Sequence, residues 1–188
     1  MSEPDADMRR TILDRAASLF VERGYDGISM REVADACGLS KAGIYYHYRD
    51  KEDLFLAVLD AHLDELAGLV AAAQAQPGGV RRQAEYFARE VFAALPAGRR
   101  ALIRLAGQEM KKLSPDRREA FAGRYHARFS GALANMLAGG IARGEMRSMD
   151  AETAAWAFMG LLYPFLNADP PPGTPDLLVA IFFDGVGR

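Results

Sequence analysis

Apolar residues recur along this chain at intervals of three and four, and no run alternates long enough to suggest a strand. The pattern predicts an all-α fold of about nine helices. The first covers about Met8 to Arg23, with Ile12, Ala16, Leu19 and Phe20 on one face and Gly24 as its stop. The second starts at Ser29, because Ser29 and Glu32 form a capping box and Ile28 with Val33 can close a hydrophobic staple. It ends by Gly38, Ser40 caps a third helix, and Asp50 with Asp53 opens a fourth that runs from Lys51 to about Ala73. A fifth spans about Val80 to Leu95 and a sixth about Gly98 to Leu113. Ser114 and Pro115 cap a seventh, whose stripe of Phe121, Tyr125, Phe129, Leu133, Met136 and Leu137 extends to about Arg143. Asp150 opens the eighth, and Thr174 with Pro175 the ninth.

Half of the 188 residues are apolar, enough for one or two compact units with a real core. The longest charge-free stretch, Thr153 to Ala168, contains Pro164 and Asn167 and falls short of the roughly 20 apolar residues a membrane span requires. The opening segment, MSEPDADMRR, has no apolar run of the kind that directs export, so a cytoplasmic protein is expected. Cys37 is the single cysteine, which excludes an internal disulfide and a cysteine-based zinc cage and reads best as packing. His47 and His62 are too far apart for a helix-borne zinc pair, and no metal or cofactor is expected. A net charge of −2 decides nothing about nucleic acid, since eight acids balance eight basic residues between Met8 and Asp53. Any nucleic-acid surface there must come from segregating charge onto one face.

Two short helices joined at Gly38 suggest a helix-turn-helix. Ala34, Gly38 and Ile44 stand at i, i+4 and i+10: a small residue lets the helices approach, glycine permits a left-handed turn, and an aliphatic side chain plugs the joint. At about 100° per residue, Ile44 and Tyr48 share the core face of the third helix, while Ala42 and Tyr46 point the opposite way. Lys41 and Tyr45 flank one side, Gly43 and His47 the other. Packing within so small a module does not account for both Tyr45 and Tyr46. The small residues Ala42 and Gly43 leave the first turn able to lie close against another surface, as in helices that enter a major groove.

The stretch ILDRAASLFVERGYDGISMREVADACGLSKAGIYYHYRDKEDLF resembles the DNA-binding domain of the TetR family of bacterial transcriptional regulators. The resemblance covers the first quarter to third of the chain and implies a helix-turn-helix domain over residues 1–53, with an acidic N-terminal tail, followed by an effector-binding and dimerisation domain over 54–188. It implies that Tyr45 and Lys51 bind phosphates, that Arg31, Lys41, Ala42, Gly43, Tyr46 and His47 lie at or near bases, and that Ser29 touches the backbone while capping. Arg31 is the candidate for bidentate reading of guanine. Gly43 stands where some relatives carry a threonine, which removes one contact.

In the eighth helix Ala154, Ala155, Phe158, Leu161, Leu162, Phe165 and Leu166 cover too wide an arc for one small bundle to bury, and Leu177, Leu178, Ile181 and Phe182 make the ninth similarly apolar. A homodimer interface through these two helices is expected, as the resemblance also implies. Two recognition helices about 34 to 36 Å apart then read a palindrome. Pro164 either kinks the eighth helix or marks its frayed end; the first alternative would line a pocket with Trp156, Met159 and Tyr163. Tyr86, Glu109, Tyr125 and His126 place polar atoms on otherwise apolar helices and are candidate effector contacts. The expected function is a DNA-binding regulator, a repressor released from its operator by a small molecule. The alternative is a regulator whose C-terminal bundle docks a protein partner and takes no effector. No glycine-rich phosphate loop, nucleophile elbow or carboxylate pair points to an enzyme.

Overall fold

The computed structural model describes residues 3–166 and 169–185. Its helices are α1 (Glu3–Arg23), α2 (Met30–Ala36), α3 (Lys41–His47), α4 (Lys51–Gln74), α5 (Gly79–Ala93) and α6 (Ala97–Glu109). A 3-10 turn (Met110–Lys112) precedes α7, a rod of three pieces: Pro115–Tyr125, a π-helical turn His126–Ser130, and Gly131–Ala142. Last come α8 (Ala151–Leu162), with a 3-10 turn Tyr163–Phe165, and α9 (Thr174–Asp184). With the rod counted once, the described residues hold nine α-helices and no strand. Asn167 and Ala168 of the proline-rich connection lie outside the described residues.

Helix α1 starts five residues before the expected start at Met8, so the acidic stretch expected as a tail is helical. Asp5 and Asp7 then sit in the first turns, where the positive end of the helix dipole favours carboxylates. At the other end of the chain, the α-helix stops at Leu162 and Pro164 falls in the short 3-10 turn, so proline ends α8 instead of bending it.

Packing divides the chain into two compact units, Met1–His62 with Ala101–Phe121, and Leu63–Arg100 with Ala122–Arg188. The first is centred on Ile12, Ala16, Phe20, Val33, Ala34, Ile44, Leu54 and Phe55, all at most 1% exposed. Phe55 meets the rings of Phe20 and Tyr25 edge-on, at 4.8 and 5.2 Å. The second unit packs Phe87 against Phe129 and Phe158, both at 6.2 Å, and Phe158 against Phe182 at 5.1 Å. There Gly140 faces Val80 so closely that a Cβ at residue 140 would lie 2.3 Å from a Val80 methyl, which fixes glycine where α5 crosses α7.

Candidate nucleic-acid interface

The α2–α3 element is built from local signals. Ser29 Oγ accepts the Glu32 amide at 3.3 Å, and Glu32 Oε2 returns to the Ser29 amide at 2.8 Å, closing the capping box. The Glu32 carboxyl is held below the usual range, first by the Ser29 hydroxyl, and it also pairs with Arg23, whose guanidinium donates to the Gly27 carbonyl at 2.9 Å. Gly38 adopts φ +67° in the turn, and the Leu39 amide reaches Ala34 O at 2.9 Å. Ser40 Oγ accepts the Gly43 amide at 3.1 Å and starts α3. Ile44 is fully buried, and Tyr48 is 2% exposed beneath the Arg9 guanidinium, with burial pushing its hydroxyl pKa up. These two anchors set the rotation of α3 and turn its opposite face outward.

That face carries Lys41, Ala42, Tyr45 and Tyr46, all exposed; Tyr46 reaches 80% exposure, far beyond what a core aromatic shows. Helix α3 contains no acid. The Arg31 side chain on α2 is 84% exposed and lies 3.9 Å from Asp35, so the acids of α2 that neighbour this face, Glu32 and Asp35, each have a basic partner. Charge is therefore segregated as a phosphate-facing surface requires, although acids and bases balance between Met8 and Asp53. Gly43 is half-buried.

Two of the expected DNA contacts are engaged inside the protein. The His47 side chain is only 9% exposed and turns toward α1, with Nδ1 3.6 Å from Asp5 Oδ1. Lys51 Nζ donates to Tyr25 O at 2.9 Å and Ile28 O at 3.1 Å and lies 4.4 Å from the Tyr25 ring centre. An ammonium has three N–H groups, and these carbonyls take two of them. Burial, and then Glu52 and Asp50, push the Tyr25 hydroxyl up to about 12.

Sequence reasoning missed a polar cluster at the α3–α4 turn. Asp50 caps α4 by accepting the Asp53 amide at 2.7 Å, and Arg117 forks onto both Asp50 oxygens at 2.7 and 2.9 Å. Arg117 also reaches Glu52 Oε2 at 3.0 Å, and Glu52 accepts the amide and hydroxyl of Ser114, each at 3.0 Å. Lys112 Nζ lies 2.5 Å from Asp26 and 2.7 Å from Glu109. The Arg117 hydrogen bonds hold the Asp50 carboxyl at about 2.

Of the expected effector contacts, Tyr125, Trp156 and Met159 come together in the second unit around a slot of about 10 Å³ with Phe129, Ser130, Leu133 and Ala155. Burial pushes the Tyr125 hydroxyl up to about 12. His126 is exposed beside this slot, with Nδ1 3.3 Å from Ser130 Oγ and Nε2 3.9 Å from Glu152. Tyr86 is half-buried, Tyr163 is exposed, and neither lines the slot. Glu109 belongs to the first unit and pairs there with Lys112. A larger open cleft of about 410 Å³ lies elsewhere in the second unit, lined by Leu69, Ala94, Leu95 and Pro96 and by Glu65 with Arg99, which pair at 2.6 Å. Among the expected interface residues, Ala154, Ala155, Phe158, Leu162 and Leu178 are buried within the chain, while Leu161, Phe165, Ile181 and Phe182 are half-buried. Trp156 at 62% and Leu177 at 60% are the most exposed large apolar side chains of α8 and α9. Among the described residues no three His, Cys, Asp or Glu side chains gather as metal ligands, and no helix is long and apolar enough to cross a membrane.

A capped turn presenting an acid-free helix with exposed tyrosines and lysine defines a helix-turn-helix DNA-binding protein. Residues 12–58 match the family model for bacterial regulatory proteins of the tetR family. The HTH-type transcriptional repressor KstR2 of Rhodococcus jostii is 29% identical over 162 residues, covering 82% of this chain and 79% of that protein. Seven further curated relatives match over 48 to 72 residues, 26 to 38% of their own length. Among solved structures, the TetR family regulator PfmR of Thermus thermophilus has a TM-score of 0.75 at 27% identity, over 94% of this chain and 99% of that one. AibR, solved with isovaleryl coenzyme A and operator DNA, has a TM-score of 0.78 at 24% identity, over 94% and 98% of the two chains. Residues 12–58 therefore carry a DNA-binding domain of the tetR family of bacterial regulatory proteins, and over most of its length the chain is similar to transcriptional regulators that contain it.

Proposed function

We propose that this chain acts in the cytoplasm as a homodimeric repressor that leaves a palindromic operator when a small molecule binds its second unit, without enzymatic turnover. The observation that carries the reading is the outward face of α3, where Lys41, Ala42, Tyr45 and Tyr46 stand clear of the core. Tyr45 and the remaining donor of Lys51 take phosphates, with Ser29 beside the backbone. Arg31, Lys41, Ala42, Gly43 and Tyr46 face base edges, and His47 joins them once it leaves Asp5.

Repression is favoured by the likeness to KstR2, a repressor that matches over most of both chains. A ligand is favoured by AibR, whose structure holds both isovaleryl coenzyme A and operator DNA. The cleft of about 410 Å³ is large enough for the acyl part of such a thioester. Exposed Trp156 and Leu177, flanked by half-buried Leu161, Phe165, Ile181 and Phe182, supply the apolar surface of α8 and α9 for a second copy. The near-filled slot at Tyr125, Trp156 and Met159 favours the second reading, a bundle that docks a protein partner.

A hundredfold loss of operator affinity takes about 2.7 kcal/mol of differential ligand binding between the two states. The test is to select duplexes from a random pool with the purified protein and titrate the winners by fluorescence anisotropy, with and without isovaleryl coenzyme A and longer acyl thioesters. The expected winners are palindromes bound by two protomers, released by one member of the panel. Selection of single half-sites bound by one protomer would defeat the dimeric reading. Indifference to every thioester, with a bacterial protein recovered on the bundle and mapped to it, would move the second reading ahead.

A further inference from the structure

The stretch Glu109–Arg117 grips the α2–α3 element at both ends. Before α2, Lys112 Nζ holds Asp26 at 2.5 Å, in the loop whose Tyr25 and Ile28 carbonyls receive Lys51. After α3, Arg117 holds Asp50 in the turn that links Tyr48 to α4, and Arg117 and Ser114 hold Glu52 in the first turn of α4. The same turn is closed from within, since the Arg49 amide donates to Asp53 Oδ2 at 3.0 Å and the Asp53 amide to Asp50 Oδ1. Its conformation therefore rests on carboxylates that have partners on both sides.

We propose that Arg117, Ser114 and Lys112 are positioning residues for DNA reading, which set the attitude of α3 without touching DNA. Three features carry this. Arg117 binds Asp50 with two parallel N–H···O bonds, a geometry that fixes direction as well as distance. The Glu52 carboxylate accepts the Ser114 main-chain amide, so a side chain in the first turn of α4 is tied to the backbone of a segment 62 positions away. Lys51, a phosphate-binding candidate, lies between Asp50 and Glu52 in sequence, so displacement of this turn displaces it directly. Base-edge hydrogen bonds tolerate less misplacement than long-range attraction to phosphates, so loosening the grip lowers specific binding more than random binding.

The experiment uses the full chain and a duplex that the wild-type protein itself enriches from a random pool, with a scrambled duplex as control. Arg117→Met is expected to weaken the selected duplex about tenfold, to leave the scrambled duplex within about twofold, and to keep the salt dependence of binding, since every cation of the interface is retained and a shifted Lys51 still attracts the backbone at long range. Lys112→Met, at the other end of the grip, is expected to act in the same direction, and Arg117→Lys, which keeps the charge but loses the fork, to fall between wild type and Arg117→Met. Should Arg117→Met fail to fold, Arg117→Lys and Ser114→Ala carry the same comparison. A lower melting temperature with unchanged affinity for the selected duplex would reduce the grip to simple structural support. Equal loss on both duplexes with a shallower salt slope would make Arg117 a phosphate contact instead. The inference rests on sequence-specific DNA binding, and a wild-type protein that enriches no duplex would remove that foundation, an outcome distinct from either of these.

Discussion

Arg117 in the first unit and Arg100 in the second both spend their guanidinium groups on intramolecular partners, yet their surroundings differ. Arg100 is wholly buried, donating to Leu95 O at 2.6 Å, Phe92 O at 3.3 Å and Asp169 Oδ1 at 2.7 Å, with the Phe92 ring 5.3 Å away. Its two carbonyls come from the end of α5 and the turn after it, so it satisfies acceptors a helix terminus would otherwise leave without partners. The Arg117 side chain keeps 27% of its surface in water and meets carboxylates that are themselves partly hydrated. A dry cation supporting backbone carbonyls is part of the fold itself, whereas a wet cation forked onto two acids steers one turn.

The largest effect is expected at the first of these. Arg100→Met removes a buried cation and leaves two carbonyls uncompensated, and should destabilise the protein by about 3 to 5 kcal/mol, lowering the melting temperature by about 10 °C in a thermal scan. A melting temperature lowered no more than in Arg117→Met, measured in the same scan, would erase the distinction between the two arginines. Next, Arg31→Ala should cost about 1 to 3 kcal/mol of discrimination at one base position, read by repeating the duplex selection, with little change on scrambled DNA. Lys51→Ala should weaken selected and scrambled duplexes alike by about tenfold and reduce the salt slope by about one. Tyr46→Ala, at 80% exposure, should change the duplex preference while shifting stability by no more than about 0.5 kcal/mol.

The smallest effect is a titration. The Asp50 carboxyl lies at about 2 in the folded chain, against an ordinary 3.8, chiefly through its hydrogen bonds with Arg117. Because the folded value is the lower one, its contribution to stability is complete above 3.8 and is lost as pH falls through about 2. Arg117→Met should therefore bring acid unfolding to higher pH, and Asp50→Asn, which still caps α4, should flatten the change in urea midpoint between pH 4 and pH 2. An unchanged acid midpoint in Arg117→Met would show that the fork is not maintained in solution.

The helix-turn-helix was legible because its causes are local. Ser29 and Glu32 are three residues apart, and Ala34, Gly38 and Ile44 span a single turn and its two helices. The grip on that element was not legible, since Arg117 and Asp50 are 67 positions apart and no periodicity relates them. His47 looked outward by helical angle alone; its enclosure depends on α1 extending back to Asp5, in a stretch whose acids read as a solvated tail. In the second unit the apolar arcs located α8 and α9 but not their inner faces. Phe158 and Leu162 fill the core completely, while Trp156 and Leu177 remain outside. An all-round apolar helix gives no sequence signal of which arc its own chain will cover.

The turn His126–Ser130 has a consequence for how this chain accommodates changes in length. Tyr125, Phe129, Leu133 and Leu137 recur at intervals of four, which on a regular helix drifts by about 40° per step and would carry the last residue about 120° from the first. The Gly131 amide instead bonds His126 O, five residues back, so one residue is looped out and the three phenylalanine and leucine side chains after Tyr125 are all fully buried. The turn thus behaves as an insertion already accommodated. Deleting exposed Ala127 would let the helix close into ordinary winding with the following piece still facing the core, whereas the same deletion between Leu133 and Leu137 would rotate the remainder by about 100°.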